Sequence, residues 1–363
     1  IVDEASMIDL PMMARILDAL PREGRLILLG DKDQLNSVEA GGVLADLCAV
    51  GEQSVYGDND APIAELAHNW RSVADIKNLA ETVNEGRWAP PESVSEVRIH
   101  MLEPDSDRSR TPGWFPAALE HYQALADSIQ GGEEPQDLEA LLRQLTRFQL
   151  LCALRHGPAG VSGINARFEQ ALGDHWRDLT RRESFRAGRA WFPGLPVMVL
   201  QNDHERRLYN GDVGLVLPVQ QHGNHWTFSR DLDDRNTELR ACFIVSETAE
   251  ARSGQAGDAG DEPNQTLIRA ISFAQMPPFD SAFALTVHKS QGSEYDHVGF
   301  VLPTDAERTA NNPVLTRELL YTGITRAKKQ LDLWIGAGVP EVIAGRRTIR
   351  MSGLAHHSGS EAG

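Results

Sequence analysis

The sequence predicts an α/β chain with a β-rich segment set into it. Three observations carry this reading. A short apolar run, Arg25-Leu26-Ile27-Leu28-Leu29, closes on Gly30-Asp31; strand-like stretches cluster between 195 and 275; and apolar runs alternate with helical spacing again from 282 onward. An apolar run that ends in a Gly-Asp loop is how a buried parallel strand delivers a functional loop.

The elements follow in order. Met12, Met13, Ile16, Leu17 and Leu20 recur at helical spacing behind Asp9 and Pro11, and Pro21 to Gly24 break that helix. A second helix starts near Ser72, with Asp75 three residues on as a capping box and Ile76, Leu79 and Val83 as its inner face. Residues 89–145 hold Pro90-Pro91 and two further loop-like runs, and read as a linking or inserted segment whose helices carry little chemistry. A strand is expected at Leu150–Leu154 and a helix near Ile164–Leu172. Leu195–Leu200, Val213–Val219 and Leu239–Val245 are strand-like, and Asn210-Gly211-Asp212 is a tight turn. Ala249–Gln265 is rich in Gly, Ala and acids and reads as a flexible loop. Strands follow at Ala282–Val287, Val298–Leu302 and Leu331–Ile335, with a helix at Glu318–Ala327. The tail 351–363 is small and polar and reads as disordered, with His356-His357 solvated in it.

Composition narrows the function. With 363 residues, 41% of them apolar, the chain can build two or three domains with real cores. No run approaches 18 apolar residues, so no membrane span is expected. The start, Ile1-Val2-Asp3-Glu4, lacks the basic and apolar regions of a leader and reads as the middle of a longer chain. A net charge of -17, from 35 basic and 52 acidic residues, excludes a surface coated in phosphate-binding charge. Nucleic acid would be met in a local groove or with the help of partners. Cys48, Cys152 and Cys242 lie far apart without a CxxC pair, which fits reduced cytoplasmic thiols rather than a disulfide framework or a zinc site.

Five polar segments carry chemistry. In Asp3-Glu4-Ala5-Ser6, an acid pair at a strand end can hold Mg²⁺ through Asp3 while Glu4 orients and deprotonates a water. In Gly30-Asp31-Lys32-Asp33-Gln34-Leu35, a polar loop after a strand puts Gln34 where it can sense a γ-phosphate. In Asn69-Trp70-Arg71-Ser72, the Arg71 guanidinium lies before a helix start and can grip phosphate oxygens. The stretch Thr286-Val287-His288-Lys289-Ser290-Gln291-Gly292-Ser293-Glu294 offers hydroxyls, an imidazole, an ammonium, an amide and a glycine, a set suited to backbone phosphates and a ribose. In Tyr321-Thr322-Gly323-Ile324-Thr325-Arg326-Ala327, Arg326 on a helix can serve as an arginine finger, worth on the order of 10³–10⁵ in rate.

The order of these segments resembles superfamily 1 helicases, with Asp3-Glu4 similar to motif II, Gly30–Leu35 to motif III, Arg71 to the motif IV arginine, Thr286–Glu294 to motif V and Tyr321–Ala327 to motif VI. The insert, with Asn202-Asp203 and Leu208–Gly214, resembles the SH3-like domain of the RecD/Pif1 branch. Val2–Met13 and Ser37–Leu44 resemble the RecD family in particular. The resemblance implies two RecA-like P-loop NTPase motor domains, the first truncated and lying at 1–88. The second would be built from 146–198 and 276–350, around an SH3-like insert at 199–275. It implies ATP and Mg²⁺ as cofactors, with Asp3, Gly30, Asp31, Gly292 and Glu294 at the nucleotide. Glu4, Gln34, Arg71 and Arg326 would be catalytic, and Thr286, His288 and Lys289 would meet DNA. It further implies a cytoplasmic 5′→3′ translocase on single-stranded DNA, partnered by RecB and RecC at duplex ends in double-strand-break repair and recombination. No GxxxxGK[ST] loop occurs in the sequence, so the chain is expected to be a C-terminal fragment that is inactive alone. A Pif1-like or conjugative-relaxase helicase, and a non-hydrolysing DNA- or partner-binding piece, are the alternatives.

Overall fold

The structure is a computed structural model of the chain and describes residues 1–35, 42–52, 63–66, 72–91, 96–103, 112–131, 137–157, 159–179, 191–223, 225–245 and 267–348. Helices are α1 (Leu10–Ala19), α2 (Val43–Glu52), α3 (Ala74–Asn84), α4 (Trp114–Gly131), α5 (Leu138–Arg143), α6 (Val161–Leu179), α7 (Ala306–Ala310), α8 (Arg317–Thr325) and α9 (Val339–Ala344). Strands are β1 (Val97–Leu102), β2 (Phe148–Cys152), β3 (Pro196–Val199), β4 (Val213–His222), β5 (His225–Phe228), β6 (Glu238–Val245), β7 (Leu267–Ile271), β8 (Phe279–Ser281), β9 (Ala284–Thr286), β10 (Tyr295–Val301) and β11 (Ala327–Gly336). The α/β class with a β-rich insert is the one the sequence predicts. Among the described residues no helix is long and apolar enough to cross a membrane.

The chain packs as two units. The first holds Ile1–Pro104, Ser290–Glu294 and Leu302–Gly363. In it β1 runs parallel to β11, with Val97 opposite Leu331 and Leu102 opposite Gly336. The pairing is fastened by the Asp332 carboxylate, only 3% exposed, which accepts from Arg98 Nε at 2.8 Å. The core lies between α3 and α8: Ile76, Leu79 and Val83, on one face of α3, are fully buried, as are Leu319, Leu320 and Ile324 of α8. α1 forms because Asp9 caps it, accepting from Met12 N at 2.7 Å, with a proline in its first turn.

The second unit holds Asp105–Lys289 and Tyr295–Val301. Here β10, β2 and β9 are parallel, and the rest of its strands form an antiparallel sheet in the order β7-β6-β4-β3-β8 with β5 on β4. α4, α5 and α6 cover that sheet: Leu125, Ile129, Leu141 and Trp176 pack on Leu215, Leu217 and Val219. β9 is short and is gripped by an amide. Asn165 of α6 accepts from Ala284 N at 2.7 Å and donates to Ala284 O at 3.2 Å and Ser281 O at 2.6 Å.

Several expectations change. Residues 25–29 form only a parallel bridge, Val2 to Leu28, and are not buried: Ile27 and Leu29 are half exposed, because no second strand lies on them among the described residues. α3 has no capping box; Val73 is its N-cap with no side-chain cap bond, and the Ser72 hydroxyl donates instead to Ala327 O at 2.8 Å. The segment 89–145 contains strand β1 as well as helices. The predicted loop 249–265 and tail 351–363 lie outside the described residues.

Gly214 measures how tightly the antiparallel sheet is packed. A Cβ there would sit 2.6 Å from Cys242 O and 2.6 Å from the Phe243 ring. Gly214→Ala is therefore expected to destabilise the second unit by about 1–3 kcal/mol, read as a lowered thermal midpoint.

Candidate functional site

The site in the first unit begins at the acid pair. Val2 runs beside residues 27–29, with Val2 N donating to Ile27 O at 2.8 Å and Leu29 N to Val2 O at 2.8 Å. The chain then turns sharply. Glu4 takes the left-handed conformation, φ 51° and ψ 42°, ahead of the single 3-10 turn Ala5–Met7, and Asp3 Oδ1 accepts from Glu4 N at 2.9 Å. A non-glycine residue held there costs about 1–2 kcal/mol, and such strain concentrates at functional positions. Asp3 is exposed and Glu4 half-buried. At Gly30 a Cβ would lie 2.8 Å from a Leu44 methyl and 3.0 Å from Ala5 N, so the bare backbone lets the next loop approach the acid turn closely.

That loop is organised by Asp31. Its Oδ1 accepts from Asp33 N at 3.0 Å, and its Oδ2 from Gln34 Nε2 at 3.1 Å and the Tyr321 hydroxyl at 3.1 Å. Burial, then the neighbouring Asp31 charge, push the Tyr321 phenol above its usual range, so it stays a donor. Burial likewise raises the Asp33 carboxyl, against a hydrogen bond to Asn84. Gln34 is 9% exposed, and its Oε1 has no partner among the described residues; nor does the buried Ser6 Oγ. Leu35 N donates to Thr322 Oγ1 at 2.9 Å, and Leu35 O accepts from Gln291 Nε2 at 2.9 Å.

Arg326 ends α8. It is 4% exposed, and its guanidinium donates to Thr322 O at 3.2 Å and Ser293 O at 3.1 Å. The first bond satisfies a carbonyl at the helix C-terminus, where a cation is favoured. Gly292 has φ 75°, and Glu4 Oε1 lies 4.0 Å from where its Cβ would stand. Glu294 pairs with Lys328 at 3.2 Å.

The structure thus brings Glu4, the Gln34 loop and Arg326 onto one stretch, Ser290–Glu294, with Gly30, Asp31, Gly292 and Glu294 beside them. Arg71 lies outside the described residues; the next two residues are fixed to β11, with Val73 N donating to Lys328 O at 3.0 Å. Thr286, His288 and Lys289 belong to the second unit. Thr286 ends β9, and its Oγ1 accepts from Lys289 N at 3.3 Å. Burial lowers the Lys289 ammonium, as does nearby Arg155, while Asp280 at 3.9 Å opposes them. Tyr321, Thr322 and Ser6 sit inside the quoted segments but receive no role from sequence, because none adjoins a charged residue and their partners are distant in the chain. Among the described residues no group of three or more His, Cys, Asp or Glu could hold a metal ion.

Comparison with known proteins finds helicase-type matches. Residues 281–333 match the UvrD-like helicase C-terminal domain, and residues 1–99 match an AAA domain. Two segments of the chain thus resemble helicase and AAA domains. It is 34% identical, over 98% of its length and 52% of the relative's, to the RecBCD enzyme subunit RecD of Mycobacterium tuberculosis. It is 31% identical, over 98% of its length and 53% of the relative's, to that of Haemophilus influenzae. Over nearly all of its residues the chain is similar to these RecD proteins. It spans about half the length of these curated relatives. A Bacteroides Pif1 helicase crystallised with ADP-AlF3 and ssDNA resembles it at a TM-score of 0.44 and 18% identity, covering 98% of this chain and 73% of that one.

The left-handed Glu4 makes a prediction. Glu4→Asn and Glu4→Gly, whose residues tolerate that conformation, should leave the thermal midpoint of the full-length protein unchanged or raised, whereas Glu4→Val should lower stability by about 1–2 kcal/mol.

Proposed function

We propose that the intact protein is an ATP-dependent DNA helicase subunit that moves 5′→3′ along single-stranded DNA, working with RecB and RecC in an exonuclease V complex at duplex ends. Double-strand-break repair and recombination in the cytoplasm is the setting this reading implies. The convergence of Glu4, the Gln34 loop and Arg326 on Ser290–Glu294 carries the reading. These are the residue types that phosphoryl transfer requires: an acid for the water, an amide to orient it, and a guanidinium for the transferring charge. The donor set suits a magnesium nucleotide, and Gln34 Oε1 and Ser6 Oγ, which have no partner among the described residues, are the kind of buried oxygens that a ligand completes.

Asp3 would hold Mg²⁺ through water, and Mg²⁺ when bound neutralises phosphate charge. Glu4 deprotonates the attacking water. Arg326, already anchored on Thr322 O and Ser293 O, needs little reorganisation to face charge. Arg71 contacts the γ-phosphate alongside it, and Glu294 reads the ribose in exchange with Lys328. Thr286, His288 and Lys289 engage the DNA backbone, and the exposed Lys289 supplies an ammonium for a phosphate.

Two measurements test this. In the full-length protein, Arg326→Ala should reduce DNA-stimulated ATP turnover on the order of 10³-fold or more while equilibrium nucleotide binding persists; near-normal turnover would refute the role. The 363-residue chain alone, whose sequence holds no GxxxxGK[ST] loop, should show no DNA-stimulated ATPase, and robust hydrolysis would overturn the reading of that loop.

A further inference from the structure

One turn in the second unit is strained where it need not be. Arg207, in the loop from β3 to β4, has φ 53°, a conformation that L side chains rarely adopt. Gly211 in the same loop has φ 99° and carries no such penalty. A glycine at 207 would make the turn without strain, so the position holds a side chain that the turn does not ask for. The fold does not use it either. The Arg207 guanidinium is exposed and makes no hydrogen bond or ion pair among the described residues. Arg206 beside it is spent on Asp203 at 2.8 Å and Glu205 at 3.6 Å. Strain kept for an idle cation points to a contact outside the fold.

The rest of the loop presents it rigidly. Leu208 is fully buried and pairs with Asp203 in both directions, Asp203 N to Leu208 O at 2.7 Å and Leu208 N to Asp203 O at 3.0 Å. Asp212 Oδ2 accepts from Tyr209 N at 2.7 Å, and Asn202 Oδ1 from Asn210 N at 2.8 Å. Between these ties the Tyr209 ring stands 42% exposed. The His204 ring meets it at 5.9 Å and 75°, so the two do not stack face to face. A fixed aromatic ring two residues from an unpaired guanidinium is what an unstacked base and its phosphate require. The loop also lies near the residues read above as meeting DNA. It closes on β3 through Gly211 N to Val199 O at 2.9 Å, and the preceding residue, Met198, is opposite Asp280, whose carboxylate is 3.9 Å from the Lys289 ammonium. Resting on that DNA reading, we propose that the β3–β4 loop is a further contact for single-stranded DNA, with Tyr209 stacking on one base and Arg207 pairing with an adjacent phosphate.

The test is equilibrium binding, by the full-length protein, of fluorescent oligothymidine and of an abasic oligonucleotide of the same length. Arg207→Gly should leave the thermal midpoint unchanged or raised, because it relieves the strain. It should nevertheless weaken binding of both strands about fivefold at low salt, and make the slope of log affinity against log salt shallower by about 0.7, the share of one phosphate. Tyr209→Ala should weaken oligothymidine binding about tenfold while leaving abasic binding and the salt slope unchanged, and Tyr209→Phe, which keeps the ring, should bind like the unsubstituted protein. A lowered midpoint or unchanged affinity in Arg207→Gly, or equal loss of both strands in Tyr209→Ala, would overturn the proposal and leave the DNA reading of Thr286, His288 and Lys289 standing. Failure of the unsubstituted protein to bind oligothymidine would sink that reading, and this one with it.

Discussion

The Asp31 carboxylate ties the Gly30–Leu35 loop to the helix that carries Arg326, and the candidate site depends on that bond set. Packing alone would not do it. Ile27 and Leu29, the residues leading into the loop, are half exposed, so the loop has little apolar anchorage upstream. Polar bonds place it instead: Tyr321 to Asp31, Leu35 N to Thr322, and Gln291 to Leu35 O. Each contributes on the order of 1 kcal/mol, but Thr322 is fully buried, and a buried bond left half-made costs more than it gives when formed. The result is a directional clamp. A helix shift that moved Tyr321 would move the amide of Gln34 with it.

Parts of this were legible in sequence because the residue types are scarce and the chemistry is local. Glu4, Gln34 and Arg326 stand out as acid, amide and guanidinium beside glycine or helix ends. α1 was legible because its cap, Asp9, acts three residues away. What failed was long-range. Ser72 looks like a cap but spends its hydroxyl on Ala327 O, 255 residues on, and no local pattern reveals that partner. β1 was missed because Val97-Arg98-Ile99-His100-Met101 is short and lies among loop-like prolines; the Asp332 carboxylate that partners Arg98 and His100 is supplied by β11. Tyr321 and Thr322 were passed over because a hydroxyl on a helix has many uses, and only the partner in space selects one.

The charge balance makes the same point about locality. A chain carrying -17 overall still concentrates Arg326 and Lys328 within three residues at the junction of α8 and β11, where one bonds the Ser290–Glu294 backbone and the other its glutamate. Net charge governs long-range steering; phosphate recognition is settled over a few ångströms by groups already held in place.

The Asn165 grip on β9 bears on how this protein avoids its own kind. Among the described strands β9 pairs only with β2, which would leave one side of a short strand able to recruit a strand from another molecule. The Asn165 carboxamide meets both the N–H and the C=O of Ala284, much as the peptide group of an added strand would. A helix side chain thus blunts the sheet at its margin, keeping the ribbon that leads to Thr286 from seeding self-association.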